Sequence, residues 1–321
     1  MMDYLTLPWD VLGIGAFWLI LMAFLVALPC SQVGSFLILR RMALTGDAIS
    51  HSVFPGVVVA FYFTGDLASP WLIVGAGLAG LISTVLIELI HKRTRVKQDA
   101  AIGISFTSLF ALGVVLLETM LGKNVDLDLE CVLHGRLGLL LEDETLPLLG
   151  QMVPQPIIVM TGVSLVTIVL MALFYRVLLL SSFDTGLAAS YGYRPALIHY
   201  GMMFAVSFIV VAAFQAVGAI LVIALLILPG AAAYLCSHRL KTMLALAALH
   251  CLLSAVGGLY IHVWFDTNMA ASVVVCGAVL LLLAWLLGPV DGLLWKWFKD
   301  EPEHPDNETG DKIVTHSACS H

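Results

Sequence analysis

The chain alternates long apolar stretches with short polar breaks, and the apolar stretches have nearly equal lengths. They run near 11–38, 42–63, 70–91, 100–121, 155–180, 199–216, 217–236, 243–264 and 270–288. A helix rises about 1.5 Å per residue, so roughly 20 apolar residues cross the hydrocarbon core of a bilayer. Each stretch therefore predicts a spanning helix, and the expected fold class is an all-α polytopic membrane protein of eight or nine transmembrane helices. The two stretches that meet at Gly218 admit two readings. They are either two spans joined by a very tight turn, or one span followed by a broken or re-entrant helix. Two longer polar pieces remain, residues 122–153 and the tail after about 296. The tail carries Pro302, Pro305, Asn307 and Gly310 and no hydrophobic period. That predicts a disordered cytoplasmic segment over 296–321 behind one transmembrane domain over 1–295.

Composition agrees with the pattern. Of 321 residues, 60% are hydrophobic and 12% charged, with a mean hydropathy of +1.00. Soluble domains run nearer half apolar and a quarter charged, so a cytosolic enzyme, a disordered chain and a nucleic-acid binder are all excluded. The basic residues orient the spans. Thirteen of the 15 Lys and Arg fall in alternate connections, among them Arg40, Arg41, Lys92, Arg93, Arg194, Arg239 and the tail lysines. That side is the cytoplasm by the positive-inside rule. Only Lys123 and Arg136 remain for the outer face, which carries acids such as Asp66, Asp126, Asp128 and Glu142. Nine spans place the N-terminus outside and the C-terminus inside, whereas eight reverse one end. Cys30, Cys236, Cys251 and Cys276 lie in apolar stretches and make no disulfide framework. Asp3 and Asp10 precede the first span without a basic segment or a cleavage site, so no signal peptide is expected.

Against clean Leu, Val, Ile and Ala, the polar exceptions are informative. The strongest is Gly46-Asp47-Ala48-Ile49-Ser50-His51-Ser52-Val53-Phe54-Pro55-Gly56 in the second span. An ionised Asp at helix depth costs about 2.5–3.5 kcal/mol on insertion scales and so needs a polar surrounding and a partner. Asp47 and His51 are four apart and share one helical face. Pro55 lacks the N–H that the His51 carbonyl would accept from, which leaves that oxygen free. A carboxylate, an imidazole and a loose carbonyl form a half-site for a divalent first-row cation. The same pair could instead bond to itself, bind two helices together, or relay protons. Gln215, Gly218, Pro229 and Gly230 interrupt the sixth and seventh spans, as broken helices do along transport pathways, although helix packing explains them as well. His262 with Asp266 reads as an interfacial pair, Glu88 with Lys92 as a surface ion pair, and His250 as a satisfied buried histidine. The small residues Gly75 to Gly80 predict close helix packing. His316, Cys319 and His321 in the tail could hold a metal or be a plain flexible end. No phosphate-cradling loop, His-Glu-x-x-His or Gly-x-Ser-x-Gly occurs, so the chain is not expected to be an enzyme, and any ATP must be bound by another chain.

Four stretches give the chain a resemblance to the membrane permease subunits of bacterial manganese/zinc/iron ABC importers, over about residues 10–290. They are Arg40 to Gly56, Asp99 to Ile104, Val217 to Leu221 running on to Leu228-Pro229, and Phe183 to Gly192. The stretch Val125 to Gly135 looks most like the manganese-associated branch, and Pro55 sits where zinc-specific members tend to differ. The run Gly138 to Glu142 and the His/Cys tail depart from the family's pattern. The resemblance implies a type II importer permease in the bacterial inner membrane with no permanently bound cofactor. Its cargo would be a divalent cation, manganese before iron or zinc, contacted in mid-membrane by Asp47 and His51. An equivalent pair from a second permease chain, related or identical, would complete the site. An extracytoplasmic metal-binding protein would deliver the ion. A cytoplasmic ATPase dimer would dock on 183–192, with Phe183, Asp184, Ala188 and Gly192 as the contact positions. The rival expectation is a proton-coupled secondary carrier, which would need more deeply placed acids than Asp47 and no docking helix.

Overall fold

The computed structural model describes residues 7–65, 70–121, 137, 145–148, 151–289 and 293. A short α1 (Pro8–Leu12) leads into α2 (Ile14–Leu39), and the second span is split into α3 (Ala43–Ser52) and α4 (Phe54–Thr64). Next come α5 (Pro70–Arg93) and α6 (Gln98–Leu116), the latter ending in a π-helical turn (Leu117–Leu121). A two-stranded antiparallel hairpin of β1 (Thr145–Leu148) and β2 (Gln151–Pro154) pairs Thr145 with Pro154 and lies in the outer connection, where the apolar pattern predicts no strand. Then come α7 (Gln155–Phe183), α8 (Thr185–Ser190), α9 (Pro195–Val217), α10 (Ala219–Cys236), α11 (Leu240–Phe265) and α12 (Met269–Leu287). The tail from 296, with His316, Cys319 and His321, and the stretch Val125 to Gly135 lie outside the described residues.

Among the described residues eight segments are long and apolar enough to cross a membrane, and α10 is a shorter apolar helix. Contacts along the helices settle the ambiguity at Gly218. In α5 and α9, Gly80 lies against Ser207 and Glu88 is bonded by Tyr200, so these helices run antiparallel. In α2 and α10, Gly34 lies against Leu226 while Ser35 and Ile38 lie against Gly230, so these run parallel. Since α3–α4 also runs antiparallel to α5, through Ile49 with Gly80 and Gly56 with Gly75, α9 rises outward and α10 returns inward. The joint is the single residue Gly218, at φ 85° and ψ 166°. An L side chain there would meet the steric cost of a positive φ, about 1–2 kcal/mol. At 18 residues α10 is about 27 Å long, shorter than the 23-residue α9 that precedes the joint.

Pro229 breaks nothing. The α10 helix continues through it, and the neighbouring Gly230 serves as a contact with α2. Proline has a helix-compatible φ and forfeits only one backbone bond, which a membrane helix tolerates when neighbouring helices surround it.

The core gathers around α2, whose Leu19, Met22, Val26, Val33, Phe36 and Leu37 are all buried. It is packed by α7, α9, α10 and α11. Small residues set the distances. A Cβ on Gly34 would lie 1.8 Å from the Leu226 carbonyl oxygen, and one on Gly56 would lie 2.2 Å from the Gly75 carbonyl oxygen. Lipid is as apolar as leucine, so close backbone approach and dispersion, rather than burial from water, hold such helices together. Cys30, Cys236, Cys251 and Cys276 are free thiols.

Candidate functional site

The helix that carries the pair is positioned from behind. Gly46 admits Leu226 of α10, since a Cβ would come within 2.0 Å of its Cδ2, and Thr45, Ala48 and Ile49 are buried on the inner faces. That orientation turns Asp47 and His51 outward from the bundle. Their side chains are 41% and 37% exposed, and His51 Nε2 lies 3.6 Å from Asp47 Oδ1. The separation exceeds a hydrogen bond but lies within ion-pair range, so the two groups face each other along one side of the helix. The helix breaks at Val53, and α4 restarts with Pro55 at its second position, beside the His51 carbonyl that proline cannot serve.

The neighbouring α6 supplies two residues that the sequence did not single out. The His51 ring stands 6.1 Å from Phe106 and 6.4 Å from Phe110, edge-on to the latter, and Phe110 also stacks near Phe54 at 5.6 Å. Gly113 makes room for this, because a Cβ there would sit 2.5 Å from Phe54 Cδ1. Phe106 and Phe110 are four apart on one helical face, but in a chain with 15 phenylalanines that spacing alone singles out nothing. The imidazole is thus walled on one side by rings and open on the other. No group of three or more His, Cys, Asp and Glu side chains converges among the described residues, which bring Asp47 and His51 together and no third such side chain. A transition-metal ion takes four or more donors, so these two side chains by themselves do not make a complete metal site.

At the cytoplasmic end, α8 is a six-residue helix set between two long ones. Asp184 caps it, its Oδ1 accepting the Leu187 N–H at 2.9 Å. Ala188 is fully buried against the bundle, and Gly192 at φ 85° turns the chain back toward α9. Outward project Phe183, Leu187, Tyr191 and Tyr193, with Phe183 64% and Tyr191 71% exposed. Three of these four are aromatic rings gathered on one short connection.

The remaining polar residues resolve individually. His250 is buried and satisfied, its Nε2 3.1 Å from the Gly277 carbonyl and its Nδ1 3.3 Å from Ser254 Oγ, and it joins α11 to α12. Glu88 pairs with Lys92 as expected, but it also accepts from Tyr200 and so ties α5 to α9. His262 does not pair with Asp266. Its Nδ1 faces the Thr267 carbonyl, and Asp266 ends α11 in a left-handed conformation. Gln215 lies near the end of α9, one turn before the Gly218 joint, and its side chain is outside the described residues.

Residues 16–288 match the ABC 3 transport family. The manganese transport system membrane protein MntC of Halalkalibacterium halodurans is 41% identical over 277 residues, 86% of this chain and 88% of that protein. The zinc transport system membrane protein TroD of Treponema pallidum is 41% identical over 275 residues, 86% of this chain and 74% of that protein. Among solved structures, PsaBC from Streptococcus pneumoniae in complex with Fab superposes with a TM-score of 0.72 at 31% identity, covering 88% of this chain and 94% of that one.

Proposed function

The chain belongs to the ABC 3 transport family, and from that premise we propose that it is the permease subunit of an ATP-driven importer. The cargo of this multi-pass bacterial inner-membrane protein is a divalent metal ion, manganese before iron or zinc. The observation that carries the reading is the Asp47–His51 pair, a carboxylate and an imidazole 3.6 Å apart and turned out of the bundle within a membrane-spanning segment. A carboxylate half exposed at that depth cannot face lipid without a penalty, so it faces water or another protein. A second permease chain, related or identical, presents the matching pair across the opening and completes the coordination. The ion is substrate, and no resident cofactor is needed.

The other partners are assigned from the two ends of the molecule. An extracytoplasmic binding protein delivers the ion to the outer face. An ATPase dimer docks on α8 through Phe183 and its neighbours, with Asp184 and Gly192 holding the helix and Ala188 seating it. The transmembrane domain runs over 1–295, with 296–321 as a cytoplasmic tail. Several relatives carry manganese in their names and one carries zinc. Carboxylate and imidazole donors bind zinc more tightly than manganese, so manganese selectivity has to come from geometry, delivery or availability.

The test is metal uptake into vesicles holding the full transporter and internal ATP. ATP-dependent uptake that resists a proton uncoupler is expected, and uptake that an uncoupler collapses, with no need for ATP, overturns the reading in favour of a proton-coupled carrier. A second expectation concerns docking. Asp184→Ala removes a helix cap of about 1 kcal/mol, and Gly192→Val places a branched side chain at positive φ. Both variants should reach the membrane, keep Asp47 and His51 in place, and hydrolyse ATP with little transport. Normal metal movement per ATP in both variants removes α8 as the docking element.

A further inference from the structure

The site helix and the docking helix are far apart in sequence, yet one side chain joins the turns that launch them. Arg40 is the C-cap of α2. Its guanidinium reaches across to the last turn of α7, where Nη2 donates to Ser181 Oγ and Nε donates to Ser182 Oγ at 3.1 Å. Ser181 is buried. Among the described residues Arg40 forms no ion pair, so a cation is held at this point by two neutral hydroxyls. Directionality is what such a fork provides, because its planar donors fit only one orientation of the acceptors.

The segments beyond the two ends of the link give it a role. After Arg40 the chain turns in two residues and enters α3, which carries Asp47 and His51. The turn is a tight helix-end motif: Met42 N–H bonds the Leu37 carbonyl at 2.8 Å and Arg41 N–H bonds the Ile38 carbonyl at 2.9 Å. Arg41 occupies the left-handed position at φ 58°, where glycine is usual. The turn is therefore doubly bonded, which ties the start of α3 to the end of α2. After Ser182 the chain passes Phe183 and Asp184 into α8.

We propose that Arg40 is a positioning residue that passes movement of the docking helix to the metal-site helix. A shift of α8 drags the last turn of α7, and the Arg40 fork carries that shift into the α2–α3 turn and so to Asp47 and His51. The inference rests on the importer reading above and adds to it the route by which ATP-driven motion reaches the ion.

The experiment uses the complete transporter in vesicles, with metal uptake and ATP hydrolysis measured on the same sample, for wild type, Arg40→Gln, Arg40→Lys, Ser181→Ala/Ser182→Ala and the combined Arg40→Gln/Ser181→Ala/Ser182→Ala variant. Arg40→Gln and the double serine variant should each move roughly tenfold less metal per ATP, while Arg40→Lys, with a single donor group, falls between Arg40→Gln and wild type. The combined variant should be no worse than Arg40→Gln, because interacting residues lose their effect only once. Multiplied losses in the combined variant, or a wild-type ratio in the double serine variant, which loses only two oxygens and should assemble normally, overturn the proposal. Absence of ATP-dependent uptake in wild type overturns it together with the importer reading, whereas a working wild type with unaffected variants overturns the link alone.

Discussion

Asp47→Ala and His51→Ala should each abolish metal uptake while the subunit still reaches the membrane and assembles with its partners. Among the described residues only Asp47 and His51 stand together as strong donors there, and they are not hydrogen-bonded to each other. Removing either halves the pair's contribution. Loss of an outer-shell partner in a metal site costs about 10- to 100-fold, so loss of a direct ligand should cost more than about 100-fold. Stability should hardly change. Both side chains are over a third exposed and neither fills a core position, so their truncation leaves no cavity. Asp47→Asn separates the two possible roles of the carboxylate, because it keeps the shape and removes the charge. Uptake by Asp47→Asn should be nearly as poor as by Asp47→Ala. The check is radiometal uptake into vesicles, normalised to the amount of assembled complex. Near-normal transport by either alanine variant would remove the site assignment.

The second large effect is structural and lies at the crossing of α2 and α10. Gly34→Ala puts a methyl group 1.8 Å from the Leu226 carbonyl oxygen, which belongs to backbone and cannot rotate away. The helices must separate, and with them the contacts of Leu226 with Gly46 behind the site. Overpacking of this kind costs about 1–3 kcal/mol. Gly103→Ala is the matched comparison, because nothing lies within 4 Å of its added methyl group. There the gain in helix propensity, up to about 1 kcal/mol, should leave the protein as stable or slightly more so. Thermal unfolding of the purified complex should therefore show a lower midpoint for Gly34→Ala and no loss for Gly103→Ala. Equal midpoints for the two variants contradict the close crossing.

Much of this was legible in the amino-acid order, and particular residues show why. The spans follow from length and apolarity, and the side each connection occupies follows from Arg40, Lys92, Arg194 and Arg239. Those are one-dimensional properties, written locally in the chain. Asp47 and His51 were visible for the same reason: a carboxylate and an imidazole four apart in an apolar stretch are conspicuous without any knowledge of neighbours. The turn at Gly218 was legible only as two alternatives, and the antiparallel run of α9 along α5 decided between them.

Other features depended on which helix lies beside which. Pro229 looked like a break and is a continuous turn of α10, because a proline's effect depends on the helices that surround it. Phe106 and Phe110 became neighbours of His51 only when α6 packed against α3. Glu88 gained Tyr200, and Arg40 gained Ser181 and Ser182, from helices more than a hundred residues away. In a soluble helix the polar face announces which side is outside. Here α2 and α12 are apolar all round, yet α2 is buried at the centre while α12 exposes Val275, Val279, Leu282 and Leu283. The amino-acid order determined what could enter the bilayer, in which direction, and where a charge was carried into it. Which faces meet each other and which meet lipid was decided by shape, because leucine against lipid and leucine against leucine differ little in free energy and only close packing separates them.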